Sequence, residues 1–346
     1  MIQNARECSF FSPGEVIFFG EHSVVYGRGA LGAAITRGIT ATAELTDDGS
    51  LKIHSRLGDY EARVRRSAGA FAGIEDERGN AKMLPLGRTF GRIFSEFGAA
   101  PSLRVTVDSD IPEESGLASS AAVSSALAAV ALWAAGRPLP SSEEMVRRVF
   151  EGEIDLQKRG SVMGSACTVN GGFITVRDGH WERAAAGMPV PAVAVIDSRE
   201  RCATSVTTGR VKDRLERDRT GTETIFDRMD AFARQGQACM QRGDWEGAGR
   251  EMASNQECLR QLEVSTAKID RLIEAVRPHV YGAKITGAGG GGCIVCLPRP
   301  GAESTLAAAA AGAGGVLLDC RISAAGVREA GAGVVQDPQG DAACKR

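Results

Sequence analysis

Residues 112–122 read PEESGLASSAA, a turn-forming proline, a glycine and a run of small residues that leads into an apolar stretch. A glycine-containing loop that opens directly into a helix exposes unpaired backbone N–H groups at the positive end of the helix dipole. Such a loop binds phosphate without a cationic side chain. The segment therefore predicts a phosphate-binding loop, in which the hydroxyls of Ser119 and Ser120 face a phosphate oxygen or Mg²⁺. The alternative is a capped core helix that follows a loop.

A second candidate is the glycine-rich stretch 286–293, TGAGGGGC, with five glycines among the six residues from Gly287. Ordering so many glycines costs backbone entropy. Such a run is expected where the backbone must approach another group closely, since glycine has no side chain to prevent it. The strand-like sequences on both sides favour a functional loop over a flexible linker. Neither loop contains the G-x-x-x-x-G-K-[ST] pattern, and 112–122 does not fit the G-x-G-x-x-G pattern of dinucleotide-binding folds.

These loops require a scaffold of strands and helices, which periodicity and turn residues predict. Strands are expected at 15–21, 103–112, 171–179, 192–198 and 315–323, and on both sides of the glycine stretch within 281–298. Helices are expected at 121–136, 141–159 and 302–312, with a helical region from about 205. The first helix is apolar almost all round, so it should be buried. Segments 39–46 and 51–56, separated by DDGS, are predicted to form a hairpin.

Length and composition indicate an ordinary globular protein. The 346 residues allow two domains, which we expect to meet near 185–195, in an α/β or α+β fold. The formal net charge of −2 gives no basic excess for nucleic acid or an anionic membrane. No apolar run is long enough for a membrane span, and the N-terminal residues lack the regions of a signal peptide.

The nine cysteines do not suggest a disulfide framework, because their number is odd and they are scattered along the chain. A reducing cytoplasm is the expected location. Cys293 and Cys296 form a C-x-x-C pair within an apolar, β-branched string that predicts a buried strand. Positions three apart on a strand point to opposite faces, so a shared metal is not expected.

Three stretches, in this order, resemble the three motifs of the GHMP kinases, which include galactokinases, homoserine kinases, mevalonate kinases and phosphomevalonate kinases. They are SPGEVIFFGEHSVVYG (12–27), PEESGLASSAA (112–122) and KITGAGGGGC (284–293). The resemblance extends from residue 12 to about 330. Within the family, GEHSVVYG, DSDIPEESGLASSAAV and GAKITGAGGGGC are most similar to the stretches of mevalonate kinases.

The resemblance implies a two-domain fold of α/β plus α+β type, with an N-terminal α/β domain and a C-terminal ferredoxin-like domain. We expect these at 1–190 and 191–332, followed by a frayed tail at 333–346. It also implies ATP and Mg²⁺ in the cleft between the domains and a small-molecule acceptor, and it admits a homodimer.

The resemblance further assigns roles to residues of this chain. The nucleotide would be bound by Pro112, Glu114, Ser115, Gly116, Leu117, Ala118, Ser119, Ser120 and Ala121. The substrate side would be formed by Glu21, His22, Thr204, Gly287, Ala288, Gly289 and Gly290. Mg²⁺ would be bound by Ser120 and by an acidic residue of the helix at 150–159, which is Glu153 or Asp155 depending on the end from which the alignment is counted.

The chain departs from the mevalonate kinase pattern at the two catalytic positions. Glu15 occupies the position of the usual lysine, and Gly164 that of the usual aspartate. Phosphoryl transfer depends mainly on positioning and charge neutralisation, so a general base is not obligatory. A carboxylate at position 15 repels the γ-phosphate unless it is paired, and Lys158 or Arg159 could pair with it or replace the missing cation.

Three functions remain compatible with these residues. The first is ATP-dependent phosphorylation of mevalonate with altered catalytic residues. The second is phosphorylation of another small metabolite by the same fold. The third is a nucleotide-binding pseudo-kinase with a regulatory role, which the two substitutions favour and which the intact phosphate loop, Ser120 and the acidic helix oppose.

Overall fold

The structure, a computed structural model, describes residues 6–157, 160–184 and 187–331. Most of the first half of the chain builds one mixed sheet, in which nine strands lie within the described residues. They are β1 (Glu7–Phe19), β2 (Ala30–Thr46), β3 (Ser50–Ser55), β4 (Gly58–Ser67), β5 (Ala70–Gly79), β6 (Ser102–Ser109), β7 (Phe173–Arg177), β8 (His180–Arg183) and, from the far end of the chain, β13 (Arg328–Glu329). The main path runs β13-β1-β2-β6-β3-β4-β5.

The helices of this half pack on the sheet. They are α1 (Leu84–Phe97), α2 (Ser119–Ala134), α3 (Ser142–Gln157) and α4 (Val162–Asn170). The centre is α2, which contacts β1, β2 and the other three helices. Its side chains from Ala126 to Leu132 are almost completely buried, as an all-round apolar helix requires. The helix α3 begins where the sequence predicts it, with the backbone N–H of Glu144 donating to Ser141 Oγ.

The second half contains a four-stranded antiparallel sheet covered by helices. Its strands are β9 (Ala194–Asp197), β10 (Val280–Ile285), β11 (Cys293–Pro298) and β12 (Val316–Leu318). Its helices are α5 (Thr204–Arg217), α6 (Arg219–Gln241), α7 (Trp245–Gln261), α8 (Ala267–Val276) and α9 (Glu303–Gly312). The spatial order β10-β11-β9-β12 and the β-α-β-β-α-β succession are those of a ferredoxin-like fold, which confirms that prediction.

The predicted hairpin of 39–46 with 51–56 is wrong. Strand β6 lies between the two segments, antiparallel to β2 and parallel to β3, so that Leu103 is opposite both Leu45 and Leu51. The turn at DDGS reverses the chain as expected. However, the alternating apolar residues of β6 fill the position between the strands, and local turn chemistry does not reveal this long-range insertion.

The predicted strand around Cys293 and Cys296 is confirmed, because both cysteines lie buried on β11. Cys293 packs into the core of the first sheet and Cys296 into that of the second, so the two thiols point to opposite faces. No cluster of three or more His, Cys, Asp or Glu side chains suited to a metal occurs among the described residues. None of the helices in the described ranges is long and apolar enough to cross a bilayer.

The predicted domain boundary near residue 190 falls between β8 and β9 and remains a prediction. The tail predicted at 333–346 lies outside the described residues.

Candidate active site

The phosphate-binding loop expected at 112–122 leads directly into α2, which begins at Ser119. Gly116 and Ala118 both adopt left-handed backbone conformations, with φ of 79° and 56°. Ala118 occupies the position before the helix, and no side-chain hydrogen bond caps the helix start. Among the described residues, no side chain therefore caps the start of α2, which is compatible with a phosphate-binding helix start.

The glycine stretch 286–293 packs directly against this loop. A Cβ on Gly287 would lie 2.6 Å from the Cα of Gly116, and a Cβ on Gly116 would lie 2.3 Å from the carbonyl oxygen of Thr286. The backbone N–H of Cys293 donates to the carbonyl of Ser115 at 2.8 Å. The stretch is therefore a packed backbone element that meets the first loop at contact distance, and not a linker.

Gly289 and Gly290 of the stretch contact the second half of the protein. Gly289 and Gly290 have φ of 75° and 74°. A Cβ on Gly289 would lie 2.4 Å from the carbonyl oxygen of Val264, and one on Gly290 would lie within 3 Å of Thr207 and Cys202. Positive φ and close packing together explain why glycine is needed here.

Two hydroxyls converge on the carboxylate of Glu153 on α3. Ser120 Oγ donates to Oε1 at 3.2 Å, and Ser165 Oγ of α4 donates to Oε2 at 2.5 Å. Burial raises the pKa of Glu153 to about 7, although the two hydroxyls oppose the shift. The arrangement places a carboxylate and two hydroxyl oxygens, groups that can bind a metal ion, next to the start of α2.

Asp155, the alternative acidic residue, lies elsewhere. It forms an ion pair with Arg92 of α1, at the half-exposed outer side of α3. Lys158 and Arg159, proposed as partners for Glu15, lie outside the described residues.

Glu15 lies on β1 and is almost completely buried, with 5% of its surface exposed. Within the described residues, its Oε2 atom has no hydrogen-bond partner. Burial and the nearby carboxylate of Glu153 raise the pKa of Glu15 to about 8, while a hydrogen bond with the Cys167 side chain opposes the shift. Burial therefore favours the neutral, protonated form of the Glu15 carboxyl.

Gly164 lies on α4 beside the phosphate-binding loop. A Cβ at this position would be 3.1 Å from the Cβ of Ala121, 3.5 Å from Oε2 of Glu153 and 3.6 Å from the Cβ of Ala118. Position 164 thus borders both the loop and the acidic residue of α3, and Cys167, one helical turn later, meets Glu15.

On the predicted substrate side, His22 follows β1 in an unusual backbone conformation with φ of 61°. Its Nε2 donates to the carbonyl of Ala288 at 2.9 Å. Burial lowers the pKa of His22 to about 4, so the ring is neutral at pH 7. Thr204 is exposed at the first residue of α5.

Glu21 is buried, and both of its carboxylate oxygens are engaged. Oε1 accepts from the ammonium of Lys284, and Oε2 accepts from Asn255 Nδ2 at 3.3 Å. Sequence analysis did not single out Lys284. The signal was available, because lysine within an apolar strand is almost never fully buried unless it is paired.

Comparisons with known proteins agree with this architecture. Residues 86–172 match the family GHMP kinases N terminal domain, and residues 237–316 match GHMP kinases C terminal. The mevalonate kinase of Archaeoglobus fulgidus is 33% identical over 289 residues, which cover 83% of this chain and 90% of the relative. The mevalonate kinase of Pyrococcus horikoshii is 30% identical over 336 residues, with 92% and 96% covered.

Solved structures show the same fold at lower identity. The mevalonate kinase of Methanococcus jannaschii superimposes with a TM-score of 0.74 at 19% identity, covering 92% of this chain and 99% of that one. The galactokinase of Lactococcus lactis complexed with galactose gives a TM-score of 0.77 at 18% identity, with 95% and 97% covered. The fold is therefore shared by kinases with different acceptors.

Proposed function

The chain belongs to the GHMP kinase family, and on that basis we propose that it transfers the γ-phosphoryl group of ATP to a hydroxyl group of mevalonate. The relatives named above as mevalonate kinases favour this acceptor. The observation that carries the proposal is the Ser120–Glu153 hydrogen bond at the start of α2, directly after the glycine-containing loop.

The nucleotide phosphates would be bound by backbone N–H groups of 116–121 and by the start of α2. Ser120 and Glu153 fit Mg²⁺, since both present the hard oxygen ligands that this ion prefers, and Mg²⁺ is commonly bound by one or two protein oxygens together with substrate phosphates. The ion would neutralise phosphate charge. We propose Glu153 as the acidic ligand, because Asp155 is paired with Arg92.

In the proposed site, the carboxyl of Glu15 would not prevent phosphate binding at neutral pH. Its pKa of about 8 keeps the group mainly protonated, so the repulsion expected of a carboxylate is largely absent. A neutral carboxylic acid can also donate a hydrogen bond. Transfer would then depend on positioning by the loops and on charge neutralisation, without the usual lysine and aspartate.

The acceptor side would be formed by His22, Thr204 and the glycine stretch. The neutral ring of His22 is fixed to Ala288 and therefore has a defined orientation. Glu21 would contribute to the acceptor side only through the neighbouring His22, because its own carboxylate oxygens are engaged by Lys284 and Asn255. The proposed location is the cytoplasm, which the free described cysteines favour; the homodimer stays a prediction.

A second candidate, a nucleotide-binding regulator without turnover, is favoured by the substitutions at Glu15 and Gly164. An ADP-release assay with mevalonate, mevalonate phosphates, homoserine and galactose separates the functions, together with calorimetry of Mg-ATP binding. We expect turnover with mevalonate. Turnover with another acceptor but not with mevalonate would identify that acceptor as the substrate. Nucleotide binding without any turnover would favour the regulatory function.

A further inference from the structure

Lys284 is a fully buried lysine on β10, in the second half of the protein. Its ammonium has three N–H donors, and three acceptors surround it. They are a carboxylate oxygen of Glu21, the carbonyl of Ile285 at 2.5 Å and the carbonyl of Ile17 at 3.4 Å. Because its donors are used and its surface is buried, Lys284 has no N–H group left for a direct contact with the nucleotide or the acceptor.

The contacts of Lys284 with Glu21 and Ile17 belong to a larger connection between the two halves, which we call the latch: the hydrogen bonds between residues 17–22 and residues 284–288. In addition to the Lys284 contacts, the backbone N–H of Ile17 donates to Thr286 Oγ1 at 2.7 Å, and His22 donates to the carbonyl of Ala288 at 2.9 Å. The latch fixes the end of β1 and the following turn against the beginning of the glycine stretch.

The latch adjoins the proposed site on both sides. Residues 284–288 continue into the glycine stretch, whose Gly287 touches Gly116 of the phosphate-binding loop. On the other side, the turn follows the strand that carries Glu15 and holds His22. A displacement of Lys284 would therefore change the spacing between the nucleotide side and the acceptor side.

We propose that Lys284 is a positioning residue for phosphoryl transfer, which holds the turn that carries His22 at a fixed distance from the phosphate-binding loop. This inference rests on the proposed function, because it concerns the geometry of that transfer. A buried ion pair contributes little net stability compared with an apolar pair of similar volume, whereas removing one partner leaves an uncompensated charge. The two effects can therefore be separated by mutation.

The experiment compares Lys284→Met with the double variant Lys284→Met/Glu21→Gln. The control is Lys212→Met, the same change at a half-exposed lysine of α5. Thermal unfolding, kcat, the KM values of ATP and acceptor, and hydrogen exchange of residues 17–22 and 286–292 are measured for each. The single variant should melt at a lower temperature, because Glu21 loses its counter-ion. The double variant, which has no buried charge at either position, should recover most of that loss.

If Lys284 positions the site, the double variant stays about tenfold to hundredfold below wild type in kcat, since small misplacements of reacting groups are costly. In this variant the KM of ATP should change much less than kcat. Hydrogen exchange should become faster in residues 17–22 and in residues 286–292. Recovery of kcat together with stability would show a merely structural role and overturn the inference. Unchanged exchange in both segments would also overturn it. Absence of turnover in the wild type counts against the proposed function alone, and the exchange measurement then decides the inference.

Discussion

Ser120 on α2 donates a hydrogen bond to Glu153 on α3 at 3.2 Å, so the start of the phosphate-binding helix and the acidic helix share one polar contact. Asp155, two residues further along α3, pairs instead with Arg92. The two acidic residues between which the sequence could not choose therefore have different surroundings.

We predict that Glu153→Gln raises the Mg²⁺ concentration needed for half-maximal ADP release by about tenfold or more, because a neutral amide is a weaker ligand for a hard cation. Asp155→Asn should leave the Mg²⁺ requirement unchanged and reduce the free energy of unfolding by no more than about 1 kcal/mol, as is typical of a half-exposed ion pair. Magnesium titrations of both variants test this. The reverse order would identify Asp155 as the ligand.

Gly287→Ala should impair nucleotide use strongly. Its Cβ would lie 2.6 Å from the Cα of Gly116, so the phosphate-binding loop would have to move. The matched control is Gly49→Ala, which has a similar φ of 73° but no atom within 4 Å of its Cβ. Both variants should lose about 1–2 kcal/mol from the left-handed backbone. Only Gly287→Ala should lower kcat/KM for ATP by more than about tenfold; equal kinetics in the two variants would contradict the proposed contact.

The free energy of unfolding should fall as pH rises from about 5 to 8. Glu15 and Glu153 have pKa values of about 8 and 7 in the folded protein, above the ordinary value of 4.5. At pH values between the pKa of the unfolded state and that of the folded state, the native protein binds more protons. Each group therefore lowers the free energy of unfolding by up to about 1.4 kcal/mol per pH unit as the pH rises.

The substitution Glu15→Gln should flatten this slope, so that the variant gains stability relative to wild type as pH increases. The control is Glu216→Gln, at an exposed position of α5. Urea unfolding of the three proteins at several pH values measures the slopes. A slope in Glu15→Gln as steep as in wild type would mean that Glu15 is already ionised in the folded protein at neutral pH.

The double variant Glu15→Lys/Gly164→Asp should raise mevalonate phosphorylation, or create it. An aspartate at 164 alone would add a carboxylate near Glu153 and crowd the Cβ of Ala121, 3.1 Å from the new Cβ. A lysine at position 15 would remove one buried carboxyl and supply a cation, so each single change should help less than the pair. ADP-release rates of the wild type, the two single variants and the double variant complete a double-mutant cycle that tests this. A slower double variant than an active wild type would show that the site is tuned around Glu15.

The loops of the site could be predicted from sequence because their chemistry is local. Small residues before an apolar helix, and glycines confined between strand-like segments, need no distant partner to be recognised. The strand at Cys293 was predictable for the same reason. By contrast, the insertion of β6 between β2 and β3 depends on pairing between distant segments, which no turn signal encodes.

Lys284 illustrates the same limit within the site. Its partner Glu21 is 263 residues away in sequence, so the sequence around either residue does not identify the other as its partner. The protonation of Glu15 at neutral pH also depends on burial and on Glu153, neither of which can be read at position 15. The sequence identified the departure from the family pattern, but its electrostatic consequence depended on the fold.

The return of β13 to the first sheet has a consequence for the order in which the protein can assemble. Arg328 and Glu329 pair with Phe11 and Phe10 at the edge of β1, so this edge is completed by residues that are synthesised long after β1. A fragment cut near residue 190 would have an open, aromatic strand edge, which is a template for association. It would also leave Glu21 without the ammonium of Lys284. Expression of the first half alone should therefore yield an aggregation-prone product, although most of its sheet and helices are encoded there.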